Sequence, residues 1–303
     1  MLPAKLDVGF PVHDVKSGTM GLHACFFGGE IPSSHLKCWG FLNALGFDSS
    51  LPIADYEDPS TYPLSDLPSP VVELSAGSRF TCAVFSDDSI RCWGYNEYGK
   101  AARADCTFCD TAGDPVNLGQ NFTPRDVASG YQHACALGTS GSVKCWGVNR
   151  YGELGYGDST ERGRDPALLG DALPEVPLGG AATAIAVGCD FSCALLVDGT
   201  VKCWGRAMNG ALGQPALTGA DLLNNLGDEP GEVDELPPID LGPDSRVVQI
   251  AVGCSSACAL LDTDEVKCWG WNRDGQLGVR TDDDIVGDDP REMGAALKSI
   301  EFR

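Results

Sequence analysis

The sequence predicts an all-β fold, a β-propeller built from repeats of about 50–65 residues, of which five are visible. The tripeptide Cys-Trp-Gly occurs five times, and successive tryptophans of this tripeptide are 54, 53, 58 and 65 residues apart. A period of this length is typical of propeller blades and too long for the common helical repeats. A second cysteine precedes the first by ten residues in four copies and by 13 in the first copy. These paired cysteines and the tryptophan define the repeat.

The composition agrees with many short strands joined by turns, because 38 residues are glycine and 19 are proline. The net charge of −22 argues against a nucleic-acid partner, which requires clustered Lys and Arg. The sequence contains no apolar run of about 18 residues, so we expect no membrane insertion. A protein partner of unknown identity is the remaining expectation, and the oligomeric state is left open.

The last copy shows the unit most clearly. Short runs of Val, Ile and Leu, separated by Gly, Pro and Asp, predict four strands at residues 239–241, 247–252, 257–261 and 265–269. After Trp269 follows a segment that we call the exit loop, residues 270–278. Its Asn272 and three glycines favour turns with positive φ.

The other copies repeat this order. The first has predicted strands at 6–8, 13–15 and 23–25, and reaches Trp39 through a longer loop. In the third and fourth copies the first predicted strands are residues 116–118 and 176–178. Residues 299–303 match the phase of residues 6–8, which predicts five whole units in a single domain, 1–303. The repeats lie at about 6–63, 64–115, 116–175, 176–238 and 239–303.

An aliphatic strand ending in Gly, then Cys-Ala-Leu, Val-Lys-Cys-Trp-Gly and Asn-x-x-Gly-x-Leu-Gly, resembles the regulator-of-chromosome-condensation repeat family. The second exit loop departs from this pattern at Ala101 and Ala102, and the fourth carries Ala207 in place of Asn. The resemblance covers nearly the whole chain and implies a propeller, usually of seven blades with four antiparallel strands each. Five units leave open a closed five-bladed ring, unrecognised blades, or a fragment of a longer chain.

The cysteine spacing predicts a disulfide within each hairpin. In the fourth copy, a three-residue loop at 197–199 with Gly199 in the left-handed conformation sets Cys193 opposite Cys203. Opposed residues of a non-hydrogen-bonded pair lie about 4.5 Å apart at Cα, within disulfide range. Buried free thiols are the alternative. The predicted hairpin pairs are Cys25–Cys38, Cys82–Cys92, Cys135–Cys145, Cys193–Cys203 and Cys258–Cys268.

Four cysteines lie outside the hairpin pattern. Cys106 and Cys109 form a C-x-x-C sequence, which is compatible with a redox pair or half of a zinc site. We favour a small structural disulfide, because the setting lacks a βαβ unit and further zinc ligands. Cys189 and Cys254 occupy equivalent places in the last two copies. They predict either a disulfide between blades or two free buried thiols.

The cysteines also bear on the compartment. Disulfides persist outside the reducing cytosol, but residues 1–10 lack the apolar core of a signal peptide. We expect an extracytoplasmic or secreted protein whose leader is missing from this sequence. A cytoplasmic protein with reduced thiols is the alternative.

The exit loops vary between copies, and a partner-specific surface can be built there. The candidate partner-contact residues are Tyr95, Glu97, Tyr98, Arg150, Tyr151, Trp271, Arg273 and Asp274.

The recurring tryptophans are expected to pack between neighbouring sheets. His23 and His133 share one repeat position that is Phe or Ser elsewhere, so we expect a packing or backbone-bonding role. The acidic segment 281–290 is open to calcium, although solvated surface charge is favoured.

These observations predict a non-enzymatic protein-interaction scaffold. No cluster of catalytic, metal-binding or cofactor-binding residues is predicted. The alternatives are implied by the resemblance. They are a guanine-nucleotide exchange factor for a small GTPase, which is the founding member's activity, and a secreted enzyme inhibitor, since the resemblance extends to a propeller-type inhibitor of β-lactamases. A sensory or adhesive ectodomain of a longer chain is a further possibility.

Overall fold

The computed structural model describes residues 10–18, 20, 23–29, 35–40, 67–109, 111–215 and 224–301. Within them, strands form five separate antiparallel sheets, called blades 1 to 5 in chain order. Blade 1 contains β1 Val12–Ser17, β2 His23–Gly28 and β3 His35–Gly40, and blade 2 contains β4 Val71–Ala76, β5 Phe80–Phe85, β6 Ile90–Tyr95 and β7 Phe108–Cys109. Blade 3 contains β8 Pro124–Ser129, β9 His133–Gly138 and β10 Val143–Gly147, and blade 4 contains β11 Ala182–Val187, β12 Phe191–Leu196 and β13 Val201–Gly205. Blade 5 contains β14 Val247–Val252, β15 Ser256–Leu261, β16 Val266–Trp271 and β17 Ile285–Val286. The all-β prediction is confirmed.

Apart from the helical residues Met20 and Pro215, which adjoin residues that are not described, the helices in the described part of the chain are single turns. The 3₁₀ turns are Glu97–Gly99, Pro166–Leu168, Gly170–Ala172 and Gly294–Ala296, and one α-helical turn spans Glu232–Glu235. None of these helices has the length and apolarity that crossing a membrane requires.

The strand predicted at the start of the third, fourth and fifth copies is wrong. Residues 116–118, 176–178 and 239–241 are not strands. Each instead donates one backbone N–H to the third strand of the preceding blade: Val116 to Ile90 O at 2.7 Å, and Val176 to Val143 O and Ile239 to Val201 O at 2.8 Å. Each segment contains or directly follows a proline, which cannot donate to a ladder, and this limits pairing at the sheet edge: Pro115, Pro177 and Pro238. The counterpart at residues 6–8 lies outside the described residues.

The fourth strand comes from beyond the exit loop. β7 pairs with β6 through Gly94↔Cys109, and β17 pairs with β16 through Gly270↔Val286. In blades 3 and 4 the same place holds a single bridge, Gly147↔Arg162 and Gly205↔Leu226. In blades 2 to 5, the exit loop is therefore closed by the segment that follows it.

The cysteines pair in the register that their spacing predicts. The five hairpin pairs are directly opposed, with Cα separations of 4.0–4.1 Å. The third residue of the hairpin loop has positive φ in blades 2 to 5, as Asp88, Gly141, Gly199 and Asp264. Cys106–Cys109 and Cys189–Cys254 are also joined, with Cα atoms 5.4 Å and 4.5 Å apart. All fourteen cysteines are thus in disulfides, and Cys189–Cys254 connects blade 4 to blade 5.

Neighbouring blades pack face to face through the repeated tryptophans. The indole N–H of each donates to a carbonyl in the exit loop of the preceding blade: Trp146 to Lys100, Trp204 to Glu153 and Trp269 to Ala211, each at 3.0 Å. These three side chains are almost completely buried. Because a buried indole needs a hydrogen-bond partner, this contact fixes the position of each exit loop relative to the next sheet.

Candidate functional site

The exit loops of blades 2, 3 and 5 are each held in shape by an asparagine. The amide nitrogen of Asn149 donates to Asp158 O at 2.6 Å, and its amide oxygen accepts from the N–H of Leu154 at 3.0 Å. Asn96 and Asn272 make the same two types of bond in blades 2 and 5. In blade 4, Ala207 lacks this side chain, and its backbone N–H donates to Asn225 Oδ1 at 3.4 Å. The exit loops are therefore closed on both sides by side-chain bonds.

Three arginines stack on tyrosines at the exit loops of blades 2 to 4. The Cζ atom of Arg150 lies 4.9 Å from the ring centre of Tyr98, and that of Arg206 lies 4.5 Å from the ring of Tyr151. Both pairs join the exit loop of one blade to that of the next. Arg79 stacks on Tyr95 at 4.4 Å within blade 2. We call Arg79, Tyr95, Tyr98, Arg150, Tyr151 and Arg206 the Arg–Tyr surface.

Acidic side chains lie beside the Arg–Tyr surface. Arg150 forms an exposed ion pair with Glu161 at 3.6 Å, and Arg206 pairs with Asp190 at 3.0 Å. The hydroxyl of Tyr95 donates to Glu97, which lowers the pKa of this carboxyl. The surface therefore presents both charges next to aromatic rings.

An open depression of about 390 Å³ adjoins this surface. It is lined by Tyr98, Glu161, Arg164, Asp165 and Pro166. Arg164 is exposed, whereas the carboxylate of Asp165 accepts from the N–H of Ala167 at 2.9 Å. The depression can receive a side chain of a bound partner.

The structure brings five of the eight candidate contact residues together, in blades 2 and 3. Trp271, Arg273 and Asp274 lie in the exit loop of blade 5, where Arg273 and Asp274 are exposed. Blade 4 separates them from the Arg–Tyr surface. Sequence reasoning missed Arg79 and Arg206 as members of this surface. Arg206 directly follows Trp-Gly, which is a usable signal, but Arg79 lies in a turn that carries none.

The acidic segment 281–290 has partners of its own. Asp283 accepts from Thr281 Oγ1, and Asp289 pairs with Arg291, which lowers the pKa of Asp289 to about 2. Glu292 accepts the N–H groups of Gly287 and Asp289. In the part of the chain that the structure describes, no group of three or more His, Cys, Asp or Glu is placed to hold a metal ion.

The two repeated histidines lie at junctions between blades. His23 and His133 are buried, and burial lowers their pKa values to about 4 and about 3. Their Nε2 atoms contact Thr81 Oγ1 and Ser192 Oγ of the following blade, both at 2.9 Å. Both imidazoles are therefore neutral at physiological pH and have a packing role.

The chain is similar to known proteins over most of its length. The family model described as "Regulator of chromosome condensation (RCC1) repeat" matches residues 71–100, 125–153, 182–214 and 247–276. Ultraviolet-B receptor UVR8 of Arabidopsis thaliana is 30% identical over 234 residues, which are 75% of this chain and 48% of the receptor. E3 ubiquitin-protein ligase HERC2 of Homo sapiens is 28% identical over 213 residues, 70% of this chain and 4% of the ligase. The chain thus spans half or less of these relatives' length.

Solved structures show the same fold. Yeast RCC1 (Prp20), solved with Kap60 bound, aligns with a TM-score of 0.68 at 22% identity, covering 90% of this chain and 58% of that chain. Four repeat matches and five antiparallel blades lead to one assignment. The chain belongs to the regulator of chromosome condensation repeat family of β-propellers.

Proposed function

We propose that this chain is a non-enzymatic interaction propeller that binds a protein partner through the Arg–Tyr surface. The observation that carries the proposal is the row of arginines stacked on tyrosines across blades 2 to 4. Arg and Tyr are enriched at the centres of protein interfaces, where they supply large contact areas and directional donors. We further propose that residues 1–303 form a single propeller domain.

The rigidity of the exit loops supports this proposal. Their shape is held by Asn96 and Asn149, by the tryptophan of the next blade and by the hairpin disulfides. A surface that is ordered before binding loses little conformational entropy when a partner arrives. The Arg–Tyr surface is therefore suited to specific binding.

Seven disulfides favour an oxidising compartment, and we propose an extracytoplasmic or secreted location. Cytoplasmic placement with reduced thiols is the alternative. Counting free thiols on protein from its native source, by alkylation and intact mass, separates the two. Ten or more oxidised cysteines would exclude the reduced cytoplasmic protein and weigh against a nuclear exchange factor.

The binding proposal is tested with matched variants. Immobilised wild-type chain, Arg150→Ala/Arg206→Ala and the control Thr139→Ala/Ser140→Ala, which changes an exposed hairpin loop, are incubated with an extract of the native source. Quantitative mass spectrometry identifies retained proteins, and the affinity of each purified candidate is then measured. We expect one protein to bind the wild type and the control, and to bind the arginine variant at least about tenfold more weakly. Equal binding to all three would contradict the proposal.

Identification of the retained protein also separates the alternatives. A small GTPase whose nucleotide release is accelerated by the chain would support the exchange-factor alternative. An enzyme whose activity falls on binding would support the inhibitor alternative.

A further inference from the structure

A disulfide joins blades 4 and 5 at the turns between the first and second strands of each blade. At the two preceding junctions, the equivalent turns are joined by a backbone hydrogen bond. At those junctions the N–H of one turn donates to a carbonyl of the next: Ser78 to Gly130 at 2.9 Å and Tyr131 to Gly188 at 3.2 Å. Cys189 stands at the same repeat position, but its N–H makes no such bond to Gly253, although both residues are described. The Cys189–Cys254 disulfide thus takes the place of the backbone bond.

This disulfide is more accessible than those of the hairpins. Cys254 is exposed and Cys189 is 7% exposed, whereas nine of the ten hairpin cysteines are at most 2% exposed. The tenth, Cys258, is half-buried. Thiol–disulfide exchange requires an attacking thiolate to reach a sulfur atom. A reductant therefore meets Cys254 before it meets the hairpin sulfurs.

Other polar links between blades 4 and 5 are few. Where blade 3 offers the His133–Ser192 bond, this junction has Phe191 and Ala257, which pack in one apolar cluster. The indole of Trp269 still donates to Ala211 O at 3.0 Å. At the hairpin loop of blade 4, the N–H of Val247 donates to Gly199 O at 2.9 Å, and Arg246 donates to Asp198 O at 3.2 Å. Once the disulfide opens, apolar packing and these three bonds hold the junction.

Blade 5 has one neighbouring blade among the described residues. A Cβ on Gly152 or Gly210 of the preceding exit loops would collide with the next blade, but Gly275 of blade 5 has nothing within 4 Å. Leu260 is half-buried, whereas its counterpart Leu195 in blade 4 is buried. Among the described residues, blade 5 is therefore held by its junction with blade 4.

We propose that Cys189–Cys254 is a reducible link that controls the attachment of blade 5. The reductant is a dithiol, either a protein or a small molecule. One of its thiolates attacks Sγ of Cys254, the disulfide breaks, and Cys189 leaves as a thiolate that takes a proton from water. The second thiolate of the reductant attacks the mixed disulfide and releases Cys254 as a thiol after protonation. Two electrons pass to the protein, and the reductant becomes a disulfide.

Reduction loosens the turn between the first two strands of blade 5 and frees its exit loop, residues 270–278, to move relative to the Arg–Tyr surface. Blades 2 to 4 keep their backbone bonds and stay assembled. The inference is independent of the proposed function, since it concerns the junction and no partner.

The first experiment follows reduction of the intact chain. The oxidised protein is treated with increasing dithiothreitol and quenched with an isotope-coded alkylating reagent, and labelled cysteines are quantified by peptide mass spectrometry. We expect Cys189 and Cys254 to be labelled at least about tenfold faster than any hairpin cysteine. Hydrogen exchange on the same samples should accelerate at residues 247–261 and stay unchanged at residues 124–147.

Matched variants complete the test. Cys189→Ser/Cys254→Ser should show the faster exchange of blade 5 without reductant. Cys106→Ser/Cys109→Ser, which removes the other disulfide outside the hairpins, should leave blade 5 unchanged. Hairpin cysteines labelled first, or unchanged exchange after Cys189 and Cys254 are both labelled, would overturn the proposal. If the first variant does not fold, labelling and exchange of the wild type decide.

Discussion

The Nε2 atom of His133 lies 2.9 Å from the Oγ atom of Ser192, and this bond crosses the junction between blades 3 and 4. His23 and Thr81 make the same contact between blades 1 and 2. At the other two junctions the histidine position is Phe, and the facing residue is Ala. The two positions therefore change together: a histidine faces a hydroxyl, and a phenylalanine faces an alanine.

This matching predicts non-additive mutations. Ser192→Ala removes the partner of a buried imidazole and should lower the free energy of unfolding by about 1–3 kcal/mol. His133→Phe/Ser192→Ala recreates the Phe–Ala pair, so we expect it to regain most of that loss. Urea denaturation of both variants measures the difference, with exposed Ser140→Ala as the control. A double variant that is no more stable than Ser192→Ala would show that the pair is not a unit.

The buried histidines predict a loss of stability in acid. His133 has its pKa lowered by burial to about 3, against about 6.5 when unfolded. Between these values the unfolded chain binds more protons, so stability falls as pH drops from about 6.5 towards 3, by up to about 1.4 kcal/mol per pH unit. Denaturation of the wild type and of His133→Phe/Ser192→Ala across this range measures the effect. The variant should show a shallower acid limb.

Glu153 predicts a pH dependence of stability with the opposite sign, in an overlapping range that extends to higher pH. Burial raises its pKa to about 7, aided by the nearby Asp190. The folded chain binds the extra proton between the unfolded value of 4.5 and about 7, so this contribution to stability is lost as pH rises through that range. The free energy of unfolding of Glu153→Gln, measured relative to that of the wild type, should therefore be higher at pH 8 than at pH 5. Exposed Glu235→Gln serves as the control and should show no such change.

Two glycines with the same backbone conformation allow the cost of a left-handed backbone to be measured apart from the cost of a steric clash at Cβ. Gly152 and Gly275 have φ values of 77° and 74° at equivalent exit-loop positions. A Cβ on Gly152 would lie 2.4 Å from the backbone of Gly227, whereas one on Gly275 meets nothing within 4 Å. Gly275→Ala should lower the free energy of unfolding by about 1–2 kcal/mol, because its backbone is left-handed. Gly152→Ala should lower it clearly more, because the clash adds to this cost. Equal losses of stability in thermal or urea unfolding would mean that the exit loop of blade 3 shifts to accommodate the added Cβ.

The hairpin disulfides predict a defined loss of stability when one is removed. Cys193→Ala/Cys203→Ala opens a loop whose ends are ten residues apart. The chain-entropy estimate for such a loop is about 3 kcal/mol. Urea unfolding without reductant measures the loss, and a change below about 1 kcal/mol would contradict the estimate.

Much of this structure was predictable because its causes are local. A ten-residue cysteine spacing around a tight turn fixes which residues oppose each other, so the register of Cys193 and Cys203 followed from the sequence. The sequence pattern did not predict correctly which segment forms the first strand of a blade. Residues 239–241 look like a strand by composition, but their proline neighbours restrict them to a single bond on the preceding sheet. Four of the six residues of the Arg–Tyr surface lie in exit loops that the repeat pattern identifies, Tyr95, Tyr98, Arg150 and Tyr151, whereas Arg79 lies in a turn outside these loops.

By itself, the sequence determined the repeat, its antiparallel strands and the hairpin disulfides, since each depends on residues only a few positions apart. Only the tertiary structure decided the contacts between blades, such as the Trp204 indole on Glu153, the His133–Ser192 bond and the Cys189–Cys254 link. Those contacts join residues tens of positions apart in the chain. Their geometry depends on how one twisted sheet packs on the next, which no local pattern encodes.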